Sequence, residues 1–333
     1  MRGWRGLVVL GLVVAVVLAG CGPTGQQGGT AAPEGAASHG AEPGDLAPVA
    51  LAGGEKLRVV ATTNILGDVV GQIGGDRIDV TVLMGIGVDP HSYVPSPRDT
   101  AALHDAHLVL ANGAGLEANL DKMLQNAGGN AAHVEVSEGF DLIPASTTAE
   151  SGGDAHGNVD PHVWFSVPAV LHWVDRIEAA LGAMDPDNAP YYGQNADAYR
   201  QELETLDGWI QEQVAQVPEA NRTLVTNHPV FGYFARRYGF EQIGAVYPLS
   251  PSGEPSARDI ARLQDAIRQY NVPAIFTEST VNPRLARQVA QDTGIQIVSL
   301  YTGSLGGPGS GAQSYVEMMH YDVTAIVDAL KGS

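Results

Sequence analysis

The sequence predicts an α/β fold of two lobes, each built on a parallel sheet, joined by one long helix. Short β-rich runs alternate with amphipathic stretches in both halves of the chain, which is the β-α-β rhythm of a parallel sheet. Between the halves, apolar residues of 189–216 recur at helical spacings without a proline after Pro190, which predicts one helix about 40 Å long. The folded part, 56–330, is long enough for two domains of roughly 100–200 residues each.

The first lobe, expected over 56–187, contains four predicted strands and three predicted helices. The helix signal is clearest after residue 115, where Leu116, Leu120, Met123 and Leu124 share one face. The predicted strands are 57–62, 78–84, 107–111 and 134–136. One predicted helix passes through 68–70, and the other two span 97–106 and 116–126.

The linking helix is expected over 188–217, and the second lobe over 218–333. Its predicted strands are 223–226, 242–246, 274–277 and 295–300, and its predicted helices are 230–238, 257–270 and 283–293. Ser256 is expected to cap the helix that begins at Ala257, because a serine hydroxyl accepts a hydrogen bond from the free N–H groups of a first turn.

The N-terminus predicts a lipoprotein. Residues 1–20 combine two arginines with a short apolar run, as in a secretory signal peptide, and this run is too short for a membrane helix of about 20 residues. The cleavage region resembles the bacterial lipobox, and Cys21 is the only cysteine of the chain, so we expect Cys21 to carry lipid. A plain secretory leader is the alternative. Residues 21–55 are rich in Gly, Ala and Pro, which predicts a flexible tether to the extracytoplasmic face of the cell membrane.

The net charge of the chain limits the classes of molecule that it is expected to bind. A formal net charge of −19 argues against nucleic acids and anionic substrates. It favours solubility outside the cell and, weakly, the binding of cations.

Three histidines indicate a metal site. His91 and His162 each close an Asp-Pro-His tripeptide, and His228 lies in Asn-His-Pro. His91 and His228 follow predicted strands, and ligands of open parallel sheets bind beyond the carboxyl ends of the strands. Two histidines from one lobe and one from the other would then meet in the cleft between the lobes. The spacing alone is weak evidence, since any one of them is equally compatible with an ordinary polar residue near a turn.

The surrounding motifs resemble the metal-binding substrate-binding lipoproteins of bacterial ABC importers, the group that takes up zinc and manganese. The motifs that carry the resemblance, in order, are 59–64, 89–99, 112–117, 160–164, 227–234, 277–279 and 318–321. The resemblance implies two α/β lobes joined by a long helix, a monomeric solute-binding protein rather than an enzyme, and an ABC permease as partner.

The resemblance also implies that His91, His162 and His228 are metal ligands. The third position is histidine in zinc-type members and often glutamate in manganese-type members. Three neutral imidazoles suit Zn²⁺, whereas Mn²⁺ prefers more carboxylate oxygen. The expected ion is therefore Zn²⁺, with Mn²⁺ as the alternative.

The sequence departs from the family at the fourth ligand. The family carries an aspartate in a late Tyr-Thr-Asp-Ser segment, and this chain has Gly303 at that position. We expect Glu278 to supply the missing ligand. Water, or Asp154 from the Gly-rich loop before His162, are the alternatives. The resemblance also fits another role for Glu278, that of a hydrogen-bonding residue that braces a ligand or a loop.

Two other functions use the same residues. Three histidines with a water would make a hydrolytic zinc site with Glu278 as general base, although no His-Glu-x-x-His pairing occurs in the chain. An adhesin or a metal sensor built on this fold is the other alternative.

Overall fold

The computed structural model of the protein describes residues 41–118, 120, 123, 130–145, 159–247 and 255–332. The predicted leader, Cys21, most of the 21–55 tether and the loop with Asp154 lie outside the described residues.

The first lobe is a four-stranded parallel sheet with the order β2-β1-β3-β4. The two central strands are buried along almost their whole length, as expected where helices cover both faces of a parallel sheet. The elements are β1 (Leu57–Thr63), α1 (Asn64–Gly74), β2 (Ile78–Met84), α2 (Pro97–Asp105), β3 (Leu108–Ala111) and β4 (Ala132–Glu135).

Two helices follow the first sheet. α3 (Val167–Met184) contains Trp173, which is fully buried, and packs on α4 (Ala189–Val214). α4 also contacts α1, so it lies along the first lobe before the chain enters the second. The predicted long helix is confirmed. The apolar residues that recur at helical spacing in the sequence lie on its buried face: Tyr192, Tyr199, Leu203, Leu206, Ile210 and Val214.

The second lobe repeats the first. Its sheet is parallel with the order β6-β5-β7-β8, and the last helix returns to pack on α4. The elements are β5 (Thr223–Thr226), α5 (Gly232–Tyr238), β6 (Glu241–Ala245), α6 (Ala257–Tyr270), β7 (Ala274–Glu278), α7 (Arg284–Thr293), β8 (Gln296–Leu300) and α8 (Tyr315–Leu330). In the parts of the chain that the structure describes, every helix is too short or too polar to span a bilayer.

The predicted fold class is confirmed, and all eight predicted strands are present within a residue or two of their expected bounds. Ser256 caps α6 as expected, since its Oγ accepts a hydrogen bond from the N–H of Asp259 at 3.2 Å. The described end of the predicted tether lies against the first lobe: the N–H of Ala41 donates to the carbonyl of His133 at 2.7 Å, and that of Val49 donates to the carbonyl of Met184 at 2.8 Å.

The turn after β3 is organised by one buried carboxylate, Glu117. Its Oε1 accepts hydrogen bonds from the hydroxyl of Thr62 at 2.7 Å and the N–H of Asn112 at 2.8 Å, and its Oε2 accepts the N–H of Gly113 at 3.0 Å. The side-chain Nδ2 of Asn112 in turn donates to the carbonyl of Pro161 at 3.1 Å, and Pro161 directly precedes His162. Burial raises the pKa of Glu117 to about 7, although the three hydrogen bonds favour its charged form. The turn after β3 is therefore hydrogen-bonded to the loop that carries His162, a candidate ligand.

We predict that Glu117 makes stability depend on pH. A raised pKa means that the folded state holds the proton more tightly than the unfolded state, so the stabilising contribution is complete below the ordinary pKa of 4.5 and is lost as the pH rises through about 7. Between about pH 4 and about pH 8, the free energy of unfolding of the wild type should fall by about 3 kcal/mol relative to that of Glu117→Gln. Urea unfolding at several pH values measures this difference.

Glu204→Gln on α4 is the control, since it makes the same change from carboxyl to amide at an exposed position. A pH-independent difference for Glu117→Gln would show that the carboxyl titrates alike in the folded and unfolded states.

Candidate metal centre

Three loops bring the histidines to one place between the lobes. His91 lies in the loop after β2, His162 directly precedes the short turn that leads into α3, and His228 follows β5 by two residues. Their exposed fractions are 8%, 5% and 3%, so all three side chains are buried. His91 and His228 thus stand beyond the carboxyl ends of a strand in each sheet, where open parallel sheets bind ligands.

The three Nε2 atoms converge. They lie 3.1 Å apart between His91 and His162, 3.2 Å between His91 and His228, and 3.3 Å between His162 and His228. Among the described residues, these histidines are the one group of three or more His, Cys, Asp or Glu side chains whose ligand atoms all lie within 4.8 Å of one another. The arrangement presents three nitrogen donors to a single point.

Both Asp-Pro-His tripeptides fold in the same way. Oδ1 of Asp89 accepts the N–H of His91 at 3.0 Å, and Oδ1 of Asp160 accepts the N–H of His162 at 2.9 Å. An aspartate that bonds the backbone two residues later makes a compact turn, and the intervening proline restricts φ within it. The tripeptide therefore forms the same compact turn in both loops, and this turn orients the histidine side chain.

Two histidines are also held from behind by carboxylates. Oδ1 of Asp160 lies 2.6 Å from Nδ1 of His162, and Oε1 of Glu278 lies 2.5 Å from Nδ1 of His228. A carboxylate accepts the proton on Nδ1, which leaves the Nε2 lone pair free to face the other histidines. Sequence reasoning missed the contact of Asp160, although its place in the tripeptide was the available signal.

Glu278 is fully engaged. Its Oε1 also accepts the N–H of His228 at 3.3 Å, and its Oε2 accepts the hydroxyl of Thr302 at 2.7 Å. Burial raises the pKa of this carboxyl, but the electrostatic interaction with His228 and the hydrogen bonds from His228 and Thr302 outweigh it, so the pKa lies below its usual range. The structure thus has Glu278 behind His228, at Nδ1, and not beside the three Nε2 atoms where a fourth ligand would lie.

Gly303 lies against the loop of His91. A Cβ atom at this position would be 3.1 Å from Cδ of Pro90, the residue before His91, and 3.9 Å from Oγ1 of Thr280. The lack of a side chain at 303 therefore allows the backbone of the second lobe to approach the first ligand loop closely. Asp154, the other candidate for the fourth position, lies outside the described residues.

Comparisons with known proteins agree with this architecture. Residues 59–329 match the family described as "Zinc-uptake complex component A periplasmic". The manganese-binding lipoprotein MntA of Halalkalibacterium halodurans is 38% identical over 83% of this chain and 89% of its own length, and MntA of Bacillus subtilis is 35% identical over 83% and 90%.

Solved structures resemble the fold as a whole. The periplasmic zinc-binding protein TroA from Treponema pallidum matches with a TM-score of 0.74 and 31% identity over 83% of this chain and 99% of that one. A manganese-bound periplasmic metal-binding protein from Candidatus Liberibacter asiaticus matches with a TM-score of 0.75 and 29% identity over 83% and 100%. With its two parallel-sheet lobes, its long helix and a match to the family over most of its length, the chain belongs to the zinc-uptake complex component A family, the metal-binding substrate-binding proteins of ABC transporters.

Proposed function

We propose that this protein captures Zn²⁺ between its lobes through His91, His162 and His228 and delivers the ion to the permease of an ABC importer. The observation that carries the proposal is the separation of 3.1–3.3 Å between the Nε2 atoms. In a tetrahedral site with Zn–N distances of about 2.0–2.1 Å, two nitrogen ligands lie about 3.3–3.4 Å apart. The three histidines therefore match three corners of a zinc tetrahedron to within about 0.3 Å.

The donor set supports zinc over manganese. Three imidazole nitrogens of borderline softness suit Zn²⁺, and Mn²⁺ prefers carboxylate and water oxygens. The carboxylates of Asp160 and Glu278 act behind the ligands, where they orient the imidazoles and raise their basicity. The fourth position is then filled by water or by a residue other than Glu278.

Manganese is the second candidate. The relatives with the manganese-binding names are 35–38% identical to this chain over most of their length. Competition between Zn²⁺ and Mn²⁺ for the purified protein, with an indicator chelator of known affinity for each ion, separates the two proposals. A tighter Kd for Mn²⁺ than for Zn²⁺ would overturn the zinc assignment.

A transport role also fits the engagement of Glu278 by its neighbours. The family consists of solute-binding proteins, which sets aside the hydrolase alternative. Glu278, the general base of that alternative, has both oxygens occupied by His228 and Thr302. We infer that a monomer carries the ion, and that its partner is the importer's permease.

We predict a graded loss of Zn²⁺ affinity in four variants. His91→Ala, His162→Ala and His228→Ala each remove a nitrogen ligand, and each should weaken binding by more than about 100-fold. Glu278→Gln removes only an outer partner, and it should weaken binding by about 10–100-fold. Isothermal titration with a competing chelator measures the series.

His104→Ala serves as the control, since His104 is exposed and lies on α2 away from the site. Unchanged affinity in all three histidine variants would remove the metal-site proposal. A loss in Glu278→Gln as large as in the histidine variants, together with a changed set of zinc neighbours by X-ray absorption, would instead make Glu278 a ligand.

We predict that Gly303→Asp moves the metal preference toward manganese. The substitution adds a carboxylate at the position where the family carries an aspartate, and carboxylate oxygen favours Mn²⁺ more than it favours Zn²⁺. The ratio of the Mn²⁺ to the Zn²⁺ dissociation constant should fall by about tenfold, equivalent to about 1.4 kcal/mol. Gly303→Ala tests the steric part alone, because its Cβ meets Pro90 at 3.1 Å without adding a donor. Equal ratios in the two variants would contradict the prediction.

We also propose that Cys21 carries the lipid that holds the protein at the extracytoplasmic face of the membrane. The lipobox-like residues and the single cysteine of the chain support this anchor. In a bacterial expression host, Cys21→Ser should yield protein without lipid mass that separates into the soluble fraction, whereas the wild type stays with the membrane. Intact mass spectrometry of both proteins decides the matter, and a wild type without lipid would refute the proposal.

A further inference from the structure

The 301–305 segment of the second lobe forms hydrogen bonds close to each of the three candidate ligands. It follows β8, and its Thr302 hydroxyl donates to Oε2 of Glu278 at 2.7 Å, the carboxylate that holds His228. The carbonyl of Thr302 accepts the indole N–H of Trp164 at 2.9 Å, two residues after His162. This segment thus touches the surroundings of two ligands through one residue.

Ser304 connects the same segment to the loop of the third ligand. Its Oγ accepts the N–H of Gly87 at 2.7 Å, four residues before His91, and donates to the carbonyl of Leu305 at 2.9 Å. Ser304 is 0% exposed, so water cannot replace these bonds without a rearrangement. The hydroxyl therefore links the backbone of one lobe to the first ligand loop of the other.

Asn64 completes the link from the first lobe. Its Nδ2 donates to Oγ of Ser304 at 3.1 Å and to the carbonyls of Met84 and Gly85 at 3.0 Å each, and its Oδ1 accepts the N–H of Leu305 at 2.7 Å. Asn64 and Ser304 are 240 residues apart in the chain. The end of β2, which begins the His91 loop, is therefore tied to the 301–305 segment on both sides of Ser304.

We propose that Ser304 is a positioning residue for metal capture, which sets the place of His91 relative to His162 and His228. The inference rests on the proposed function, because it concerns the geometry of the same three ligands. His91 lies on a loop, and loops hold a geometry less firmly than strands do unless other contacts fix them. Ser304 supplies one such contact, to Gly87, from the lobe that carries His228. Breaking it loosens the start of the His91 loop while the ligand set stays complete.

The test compares Ser304→Ala with Ser310→Ala. Ser310 follows in the same connection between β8 and α8, and its Oγ accepts only a local N–H, that of Ala312 at 3.2 Å. We expect Ser304→Ala to raise the Zn²⁺ dissociation rate, measured by stopped-flow transfer to a chelator, by about tenfold, within the about 10–100-fold range for outer partners of a metal site. Ser310→Ala should leave the rate unchanged. X-ray absorption of the zinc-loaded proteins should find the same set of nitrogen neighbours in both.

A double-mutant cycle separates positioning of His91 from a general loss of stability. In a His91→Ala background, Ser304→Ala should cause no further loss of Zn²⁺ affinity, because the ligand that it positions is gone. In a His162→Ala background, Ser304→Ala should still lower the Zn²⁺ affinity by about tenfold. Should Ser304→Ala fail to fold, Asn64→Asp tests the wider link between the lobes, since it removes the N–H donors to Ser304, Met84 and Gly85 and keeps the acceptor for Leu305.

Two outcomes overturn this inference while leaving the proposed function intact. One is a dissociation rate in Ser304→Ala equal to that in Ser310→Ala. The other is an equal loss of affinity in both histidine backgrounds, which would mean that Ser304 acts on the site as a whole. Failure of the proposed function looks different, since Zn²⁺ affinity would then survive the three histidine substitutions themselves.

Discussion

The fold holds three imidazole nitrogens within 3.3 Å of one another. At two of them a carboxylate accepts the Nδ1 proton, which directs the lone pair of Nε2 toward the shared centre. Three nitrogen donors that face one centre can bind a single divalent cation. The rest of the architecture holds the loops that carry these ligands.

Two parallel sheets and one long helix provide that support at a distance. His91 and His228 are 137 residues apart in the chain, and each follows a strand of a different sheet. α4 packs on α1, α3 and α8, so elements on both sides of the site share one hydrophobic core. α4 thus packs against elements of both lobes, and the contact of Ser304 with Gly87 adds a direct hydrogen bond between the lobes next to the site.

The sequence predicted the strands well because each is a compact β-rich run between turns, and it predicted α4 because its apolar residues keep helical spacing on one face. It did not single out α3, although the buried residues of this helix recur at helical spacing along one face. The three histidines were predictable from local motifs and the family resemblance. A bracing role for Glu278 was among the alternatives from the sequence, but its partner, Nδ1 of His228, was not predictable. That contact depends on the register of β5 against β7 and on Thr302, none of which a motif records.

The position of the carboxylates also bears on which ion the site favours. The carboxyl groups of Asp160 and Glu278 both lie behind imidazoles in a buried setting and not at the converging nitrogens. An aspartate at position 303 would instead offer a carboxylate next to the ion, and such a site would favour a harder cation that prefers oxygen. Gly303 offers no such carboxylate, and its backbone lies close to Pro90, where an added Cβ would be 3.1 Å from Cδ. On the proposed function, a side chain at residue 303 would therefore change both the donor set and the contact with the His91 loop.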